Sequence, residues 1–216
     1  MEKLLYQRFI IVKDSFYENI DEVLQAAKSA TYYEPEHVTG FRSTTVYHQK
    51  NIRRKLEQIL GIQINRWDTD PIQENGVFYQ GFSKGKRREI PGVHSDEPYN
   101  DITILIYLTP DLPVDCGTSL WMHKETGLMN PATPQDARKL GMTLSALREL
   151  LEVESTDRSK WVEIDRIGNR LNRMVAYPSG VFHSATKHFG STMSNGRLYQ
   201  TFRVGVDWNR FSMNQK

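Results

Sequence analysis

From about residue 62, the chain consists mainly of short segments rich in β-branched and aromatic residues, separated by Gly, Pro, Asn and Asp. This pattern is typical of an antiparallel sandwich or barrel, because each short strand must end in a turn before the next one begins. The predicted strands are residues 63–68, 76–82, 101–108, 118–123, 173–177, 181–186 and 197–206. We therefore expect a mainly β fold with flanking helices.

Helices are predicted before this region and within it. After an apolar run at residues 9–12, helical spacing of apolar residues predicts one helix around residues 20–27 and another at 51–60, the second ended by Gly61. Residues 126–169 are predicted to be a helical insertion with Thr133 as N-cap and Pro134 at the first helical position. An insertion of this length either forms a lid over a site or covers a sheet face.

Composition fits one globular domain, with 38% hydrophobic and 25% charged residues in 216. We predict a single domain of residues 1–216, in which 1–61 support the sheet, 62–125 and 170–206 form the β core, and 126–169 form the insertion. A net charge of +2 gives no reason to expect a nucleic-acid or membrane partner. The N-terminus lacks the apolar run of a signal peptide and no segment resembles a membrane span, so we expect a cytoplasmic protein.

A possible metal site is indicated by His94-Ser95-Asp96 together with His183. In an extended segment, residues two apart point to the same side, so the side chains of His94 and Asp96 would converge. His183 follows the turn signal Pro178-Ser179-Gly180. Two imidazoles and one carboxylate can hold a divalent iron on one face and leave the other face open.

Spacing alone leaves alternatives. The chain has six histidines, and His123-Lys124-Glu125 has the same spacing as the first motif. His94 could equally be a loop histidine beside a solvated Asp96, and His183 a histidine of the core. The single cysteine, Cys116, excludes an intrachain disulfide and a multi-thiolate site, so any metal would need His, Asp or Glu.

Longer stretches of the sequence carry a family resemblance. Residues 94–96, 101–108, 116–121, 181–183 and 195–202 resemble, in the same order, the landmarks of the prolyl-hydroxylase-like branch of the Fe(II)/2-oxoglutarate-dependent dioxygenases. The resemblance covers roughly residues 76–206. It departs from the usual pattern at Cys116-Gly117, where a Gly-Gly pair is common, and at Arg197, where many members have lysine.

The resemblance implies a double-stranded β-helix core, a jelly-roll or cupin-like fold, with Fe(II) held by His94, Asp96 and His183. It implies 2-oxoglutarate as cosubstrate and dioxygen as oxidant, with the distal carboxylate of 2-oxoglutarate bound by Arg197. A guanidinium can meet that carboxylate with two parallel charge-assisted hydrogen bonds. The further cosubstrate contacts that it implies are Tyr107, Tyr79 and Thr201. The rival motif at His123 lacks the following strand that ends in Tyr-Leu.

The implied reaction is hydroxylation of an amino acid, a peptide or another small metabolite, with release of succinate and CO2. The carboxylate of Asp96 favours hydroxylation over halogenation, since family members that halogenate lack it. Candidate substrate contacts are Trp121, His123, Arg203 and Arg42. A basic run at residues 84–88 is compatible with guidance of an anionic substrate, although such runs are commonly just solvated. Oxidative demethylation of a nucleic acid and a non-catalytic jelly-roll protein that binds a metal or an oxoacid are the alternatives.

Overall fold

The computed structural model describes residues 9–36, 40–67, 75–83, 92–96, 100–110, 113–192 and 194–208. Within these ranges the strands are β1 Ile11–Lys13, β2 Tyr32–Tyr33, β3 Gly40–Ser43, β4 Ile64–Arg66, β5 Phe78–Gly81, β6 Ile102–Tyr107, β7 Thr118–His123, β8 Trp161–Ile167, β9 Arg173–Pro178, β10 His183–Ala185 and β11 Arg197–Val206. The helices are α1 Ile20–Ser29, α2 Ile52–Leu60, α3 Pro134–Lys139 and α4 Leu144–Glu154, with a 3-10 turn at Arg158–Lys160. None of the helices described is long and apolar enough to cross a membrane.

The strands form two antiparallel sheets. The large sheet has the order β1-β9-β6-β11-β5-β3-β2, with β4 also paired to β11, and the small sheet has the order β10-β7-β8. A hydrophobic cluster with Leu105 and Val175 from the large sheet and Leu120 and Ile167 from the small sheet lies between them. The predicted jelly-roll core with flanking helices is confirmed.

Each face of the large sheet has its own role, as strand β6 shows. Ile102, Ile104 and Ile106 belong to a cluster with residues of α1 and α2, whereas Leu105 and Tyr107 face the small sheet. Successive side chains of a strand point to opposite faces, which explains this division. The helices thus support the large sheet from outside, and its inner face is left to form a site.

The ends of the helices follow from local chemistry. Thr133 and Asp136 form the capping box of α3, with Pro134 in its first turn as predicted. The predicted single helical stretch is in fact two helices, because Gly141 adopts a left-handed φ of 67° and Thr143 then caps α4.

The C-terminal part of the predicted helical insertion is a strand. Residues 161–167 form β8, which pairs antiparallel with β7 from Trp161↔His123 to Ile167↔Thr118. Helices α3 and α4 cover the outer face of the small sheet, where Leu147 and Leu151 pack with Trp121 and Trp161. The sequence left open whether the insertion forms a lid or covers a sheet face, and these two helices cover a sheet face. Strands β2 and β3 were not predicted.

Candidate metal centre

His94 and His183 are brought together by the backbone. The amide of His94 donates to the carbonyl of His183 at 3.0 Å, and the amide of His183 donates to the carbonyl of His94 at 2.8 Å. This isolated bridge places the two imidazole centroids 4.5 Å apart. His183 lies opposite Leu120 of β7, a residue of the inner cluster, so its side chain also points between the sheets. His94 reaches this position without belonging to a longer strand.

Asp96 completes the group. Its backbone amide donates to the carbonyl of Ser179 at 2.8 Å, and its carboxylate accepts hydrogen bonds from the Thr103 hydroxyl at 2.6 Å and from Nη2 of Arg203 at 3.1 Å. Nε2 of His183 lies 3.4 Å from Oδ2 of Asp96. One ligand atom from each of His94, Asp96 and His183 lies within 4.8 Å of the other two, and the described part of the chain contains no second group of this kind.

The surroundings of Asp96 keep its carboxylate ionised. Burial on its own would raise the pKa of Asp96, but the nearby charge of Arg203 and the interactions with His183 and His94 outweigh burial and hold that pKa well below its ordinary value. A metal ligand must be deprotonated, so this carboxylate is in the required form.

Backbone carbonyls orient both imidazoles. Nδ1 of His183 lies 2.8 Å from the carbonyl oxygen of Val181, and Nδ1 of His94 lies 3.3 Å from that of Gly92. A ligating histidine typically donates its other ring N–H to such a carbonyl, which fixes the tautomer and leaves the second nitrogen for the metal. With two imidazole nitrogens and one hard oxygen, the donor set fits Fe(II).

A row of aromatic and basic side chains crosses the inner face of the large sheet. Register pairs Arg42 with Tyr79, Tyr79 with Tyr199, and Tyr199 with Tyr107. The rings of Tyr79 and Tyr199 stack with centroids 5.2 Å apart and an interplanar angle of 8°. Burial raises the pKa of the Tyr79 and Tyr107 hydroxyls, and nearby guanidinium groups lower it only in part. These phenols are therefore neutral hydrogen-bond donors near neutral pH.

Arg197 is a buried cation without a counter-ion in the described structure. Only 2% of the residue is exposed. Its guanidinium carbon lies 4.7 Å from the ring centroid of Tyr199 and 5.4 Å from that of Tyr107, and Nη2 is 3.4 Å from the Thr118 hydroxyl. No carboxylate of a described residue is within ion-pair distance, and Nε has no hydrogen-bond partner there. A buried charge in this state favours an anionic ligand.

The hydroxyl groups of Tyr107 and Thr118 lie near this guanidinium, and that of Thr201 lies farther along the same strand. The Tyr107 hydroxyl donates to the Thr118 hydroxyl at 2.7 Å. Thr201 lies on the same face of β11 as Arg197, and its buried hydroxyl makes no hydrogen bond with any residue that the structure describes. An unpaired buried hydroxyl is itself costly and is commonly satisfied by a ligand or water.

The structure does not bring Trp121 and His123 to this site, although both were predicted as substrate contacts. They lie on the outer face of β7, where Nε1 of Trp121 donates to the Ser184 hydroxyl at 2.9 Å and the ring of Trp121 packs against α4. His123 is fully buried, with Nε2 2.7 Å from Oε2 of Glu154. The alternative metal motif at His123 therefore forms a structural contact between β7 and α4.

Arg203, which was predicted as a substrate contact, binds the Asp96 carboxylate and so positions a candidate metal ligand. Arg42 does line the inner face, beside Tyr79. The basic run at residues 84–88 lies outside the described residues.

Thr103, Thr118 and Ser179 were not predicted from the sequence. Thr103 holds Asp96 and also lies 2.8 Å from the Ser179 hydroxyl. The sequence could have indicated that Thr103 faces the site, because it lies four residues before Tyr107 and therefore on the same face of β6. Ser179 gave no such signal, since it lies in a turn.

Fold and site together define a class of protein: a jelly roll whose inner face carries a cluster of two histidines and one carboxylate, with a buried arginine on the last strand. The chain belongs to the family of unknown function DUF6445, which matches residues 5–202. No curated protein matches the sequence.

Two solved structures are similar to this chain at low sequence identity. One is a prolyl hydroxylase in complex with a hypoxia inducible factor oxygen degradation domain peptide fragment from Trichoplax adhaerens, 14% identical, covering 98% of this chain and 90% of that chain with a TM-score of 0.45. The other is the selenomethionine-labelled Fe(II)/(alpha)ketoglutarate-dependent dioxygenase TqaL, 13% identical, covering 95% of this chain and 86% of that chain with a TM-score of 0.40.

Proposed function

We propose that this protein is a Fe(II)/2-oxoglutarate-dependent dioxygenase that hydroxylates an amino acid, a peptide or another small metabolite and releases succinate and CO2. The observation that carries the proposal is the combination, between the two sheets, of the His94, Asp96 and His183 cluster with the buried cation of Arg197, which has no counter-ion among the described residues. The cluster supplies a metal site that leaves coordination positions open, and the arginine supplies a site for a carboxylate.

His94, Asp96 and His183 would hold the iron. When bound, Fe(II) and 2-oxoglutarate supply the activation of dioxygen needed to attack a C–H bond. Thr103 and Arg203 bind the two carboxylate oxygens of Asp96, and backbone carbonyls bind Nδ1 of each histidine. These contacts orient the ligands before any metal arrives, which reduces the cost of assembling the site.

Arg197 would bind the distal carboxylate of 2-oxoglutarate. The residues beside it on the next two strands are Gly81 and Gly40, which have no side chains to fill the space on this face. The Thr118 hydroxyl lies near the guanidinium, and Tyr107 donates to that hydroxyl, so both can adjust to an incoming carboxylate. Thr201 offers a further hydroxyl on the same strand face.

The chain also excludes water from this region. Tyr177, Val181 and Leu120 are buried in the cluster between the sheets, and Tyr177 packs against His183 with ring centroids 4.9 Å apart. A dry, low-dielectric surrounding strengthens the charge interactions of Asp96 and Arg197 and limits side reactions.

Consumption of 2-oxoglutarate tests the proposal. The purified protein, reconstituted with Fe(II) in air, should convert 2-oxoglutarate to succinate, and a panel of amino acids and peptides should include members that accelerate this conversion and gain one oxygen atom by mass spectrometry. His183→Ala should abolish the conversion. If the reconstituted wild type forms no succinate with any member of the panel, the proposed reaction is refuted.

A further inference from the structure

A second buried guanidinium belongs to the inner face of the large sheet. Arg42 of β3 is only 7% exposed. Its Nε is buried without a hydrogen-bond partner, and within the described ranges no carboxylate lies at ion-pair distance from it. A buried charge without a partner is costly, so such a residue is typically retained for a ligand.

Arg42 lies on the same inner face of the large sheet as Arg197. It lies directly opposite Tyr79 in the sheet, and its guanidinium carbon is 5.8 Å from the ring centroid of Tyr79. Tyr79 in turn pairs with and stacks on Tyr199, whose ring contacts the Arg197 guanidinium. Arg42 and Arg197 therefore belong to one continuous row of side chains on this face.

Arg42 and Arg197 are the two guanidinium groups of this face that have no carboxylate at ion-pair distance among the described residues, whereas Arg203 contacts Asp96. Asp96 is already bound to Arg203. One carboxylate of 2-oxoglutarate would pair with Arg197, and the other would be used at the metal. Arg42 would then still lack a counter-charge among the residues that the structure describes.

We propose that Arg42 binds an anionic group of the substrate, a carboxylate or a phosphate, so that the substrate is a small acid and not an uncharged internal segment of a peptide. This inference rests on the proposed function, because it assigns Arg197 to 2-oxoglutarate. The planar fork of a guanidinium matches both anions with two parallel hydrogen bonds. The ring of Tyr79 supports that fork.

Pairs of ligands that differ only in the charge of one group test whether the substrate must be an anion. Protein loaded with Mn(II) and saturating 2-oxoglutarate is titrated with amino acids, with the carboxamide of each amino acid, and with inorganic phosphate, and binding is measured by calorimetry and by the shift in Tm. At least one acid, or phosphate, should bind the wild type. For an acid that binds, the carboxamide should bind about 10- to 100-fold more weakly, since it loses a charge-assisted contact. Binding by phosphate alone would assign Arg42 to a phosphorylated substrate.

Variants of Arg42 test whether this residue binds the anion. Arg42→Met should weaken the best anion by about 10- to 100-fold, Arg42→Lys should retain part of the affinity, and the exposed control Arg54→Met should behave as the wild type. Because Arg42→Met removes an unpaired buried charge, the ligand-free variant should unfold no more readily than the wild type. If no acid and no phosphate binds the loaded wild type, or if Arg42→Met binds the anion as tightly as the wild type, the inference is overturned.

The loading step separates this inference from the proposed function. A wild type that binds neither metal nor 2-oxoglutarate refutes the proposed function before any acid is added. A wild type that binds both, but does not distinguish acid from carboxamide and does not bind phosphate, refutes only the role of Arg42. If Arg42→Met weakens 2-oxoglutarate more than Arg197→Met does, Arg42 anchors the cosubstrate and the assignment to substrate is wrong.

Discussion

Replacing Arg197 by methionine should weaken 2-oxoglutarate strongly without unfolding the protein. Methionine has a similar length and no charge, so the variant removes the guanidinium while keeping most of the apolar contact with Tyr199 and Tyr107. In the variant, the distal carboxylate of the cosubstrate would be buried without its partner.

The magnitude follows from that burial. Removing one partner of a buried, hydrogen-bonded charge pair costs about 2–5 kcal/mol, which corresponds to a loss of affinity of roughly 30- to 5,000-fold. Since Arg197 is 2% exposed, solvent screening cannot replace the lost contact, and the upper half of this range is expected. Arg197→Lys keeps the charge but loses the fork, so about a tenfold loss is expected for it.

Stability should respond differently from affinity. The free protein loses two cation–π contacts, each worth about 0.5–2 kcal/mol, but also loses an unpaired buried charge, so the two changes offset each other. Calorimetric titration with 2-oxoglutarate under anaerobic conditions gives the affinity, thermal unfolding gives the stability, and Arg54→Met is the control. An Arg197→Met variant that binds 2-oxoglutarate within threefold of the wild type would refute the reasoning.

Further predictions concern the metal, its positioning residue, the sheet edge and the core. His94→Ala should weaken Fe(II) by more than about 100-fold, since losing a ligand costs more than losing a partner of a ligand; near wild-type metal content by atomic absorption would contradict this. Arg203→Met should weaken Fe(II) by about 10- to 100-fold with little change in Tm, and Arg203→Lys should restore part of the affinity; a loss of Tm without a loss of metal affinity would make Arg203 merely structural. The pKa of Asp14 is lowered by its hydrogen bond with Arg173. Its contribution to the free energy of unfolding is therefore full above pH 3.8 and lost as the pH falls through the lowered pKa. Because the Asp14 side chain is 37% exposed, Asp14→Asn should cost under about 1 kcal/mol near pH 7 and reduce the pH dependence below 3.8, as urea unfolding at several pH values would show. Leu56→Ala, in the core between α2 and the large sheet, should cost about 2–5 kcal/mol, and a cost below 1 kcal/mol would contradict the packing described.

Periodicity predicted much of the arrangement because a strand has only two faces. The period-two pattern of β11 put Arg197, Tyr199, Thr201 and Arg203 on one side, and the pairing of Tyr199 with Tyr107 and of Thr201 with Leu105 shows that this side faces the small sheet. The candidate motif His94-Ser95-Asp96 was found because its spacing is local and its distal partner, His183, follows a recognisable turn.

The same periodicity does not say which of the two faces is the inner one. In β7 it groups Trp121 with His123, yet the inner residues are Thr118 and Leu120, so both aromatic residues lie outside. Pairing with β10 determines which residues of β7 face inward, and no local sequence pattern encodes that pairing. This is why two of the predicted substrate contacts are not at the site.

Strand β8 was not predicted because its sequence has no alternating apolar pattern along its whole length. Only its first and last residues, Trp161 and Ile167, are buried. Between them, Glu163 and Arg166 form an ion pair on the surface. The strand is stabilised by pairing with β7 and not by its own apolar pattern, so tertiary context decides its structure.

The proposed function requires a shared site for Fe(II) and 2-oxoglutarate. Anaerobic addition of both to the purified protein, followed by visible absorption spectroscopy, tests that site before any substrate is known. We predict a charge-transfer absorption for the wild type that is lost in His94→Ala and that needs far more 2-oxoglutarate in Arg197→Met. Stoichiometric iron binding without any such absorption at saturating 2-oxoglutarate, or an absorption that survives loss of His94, would contradict the account.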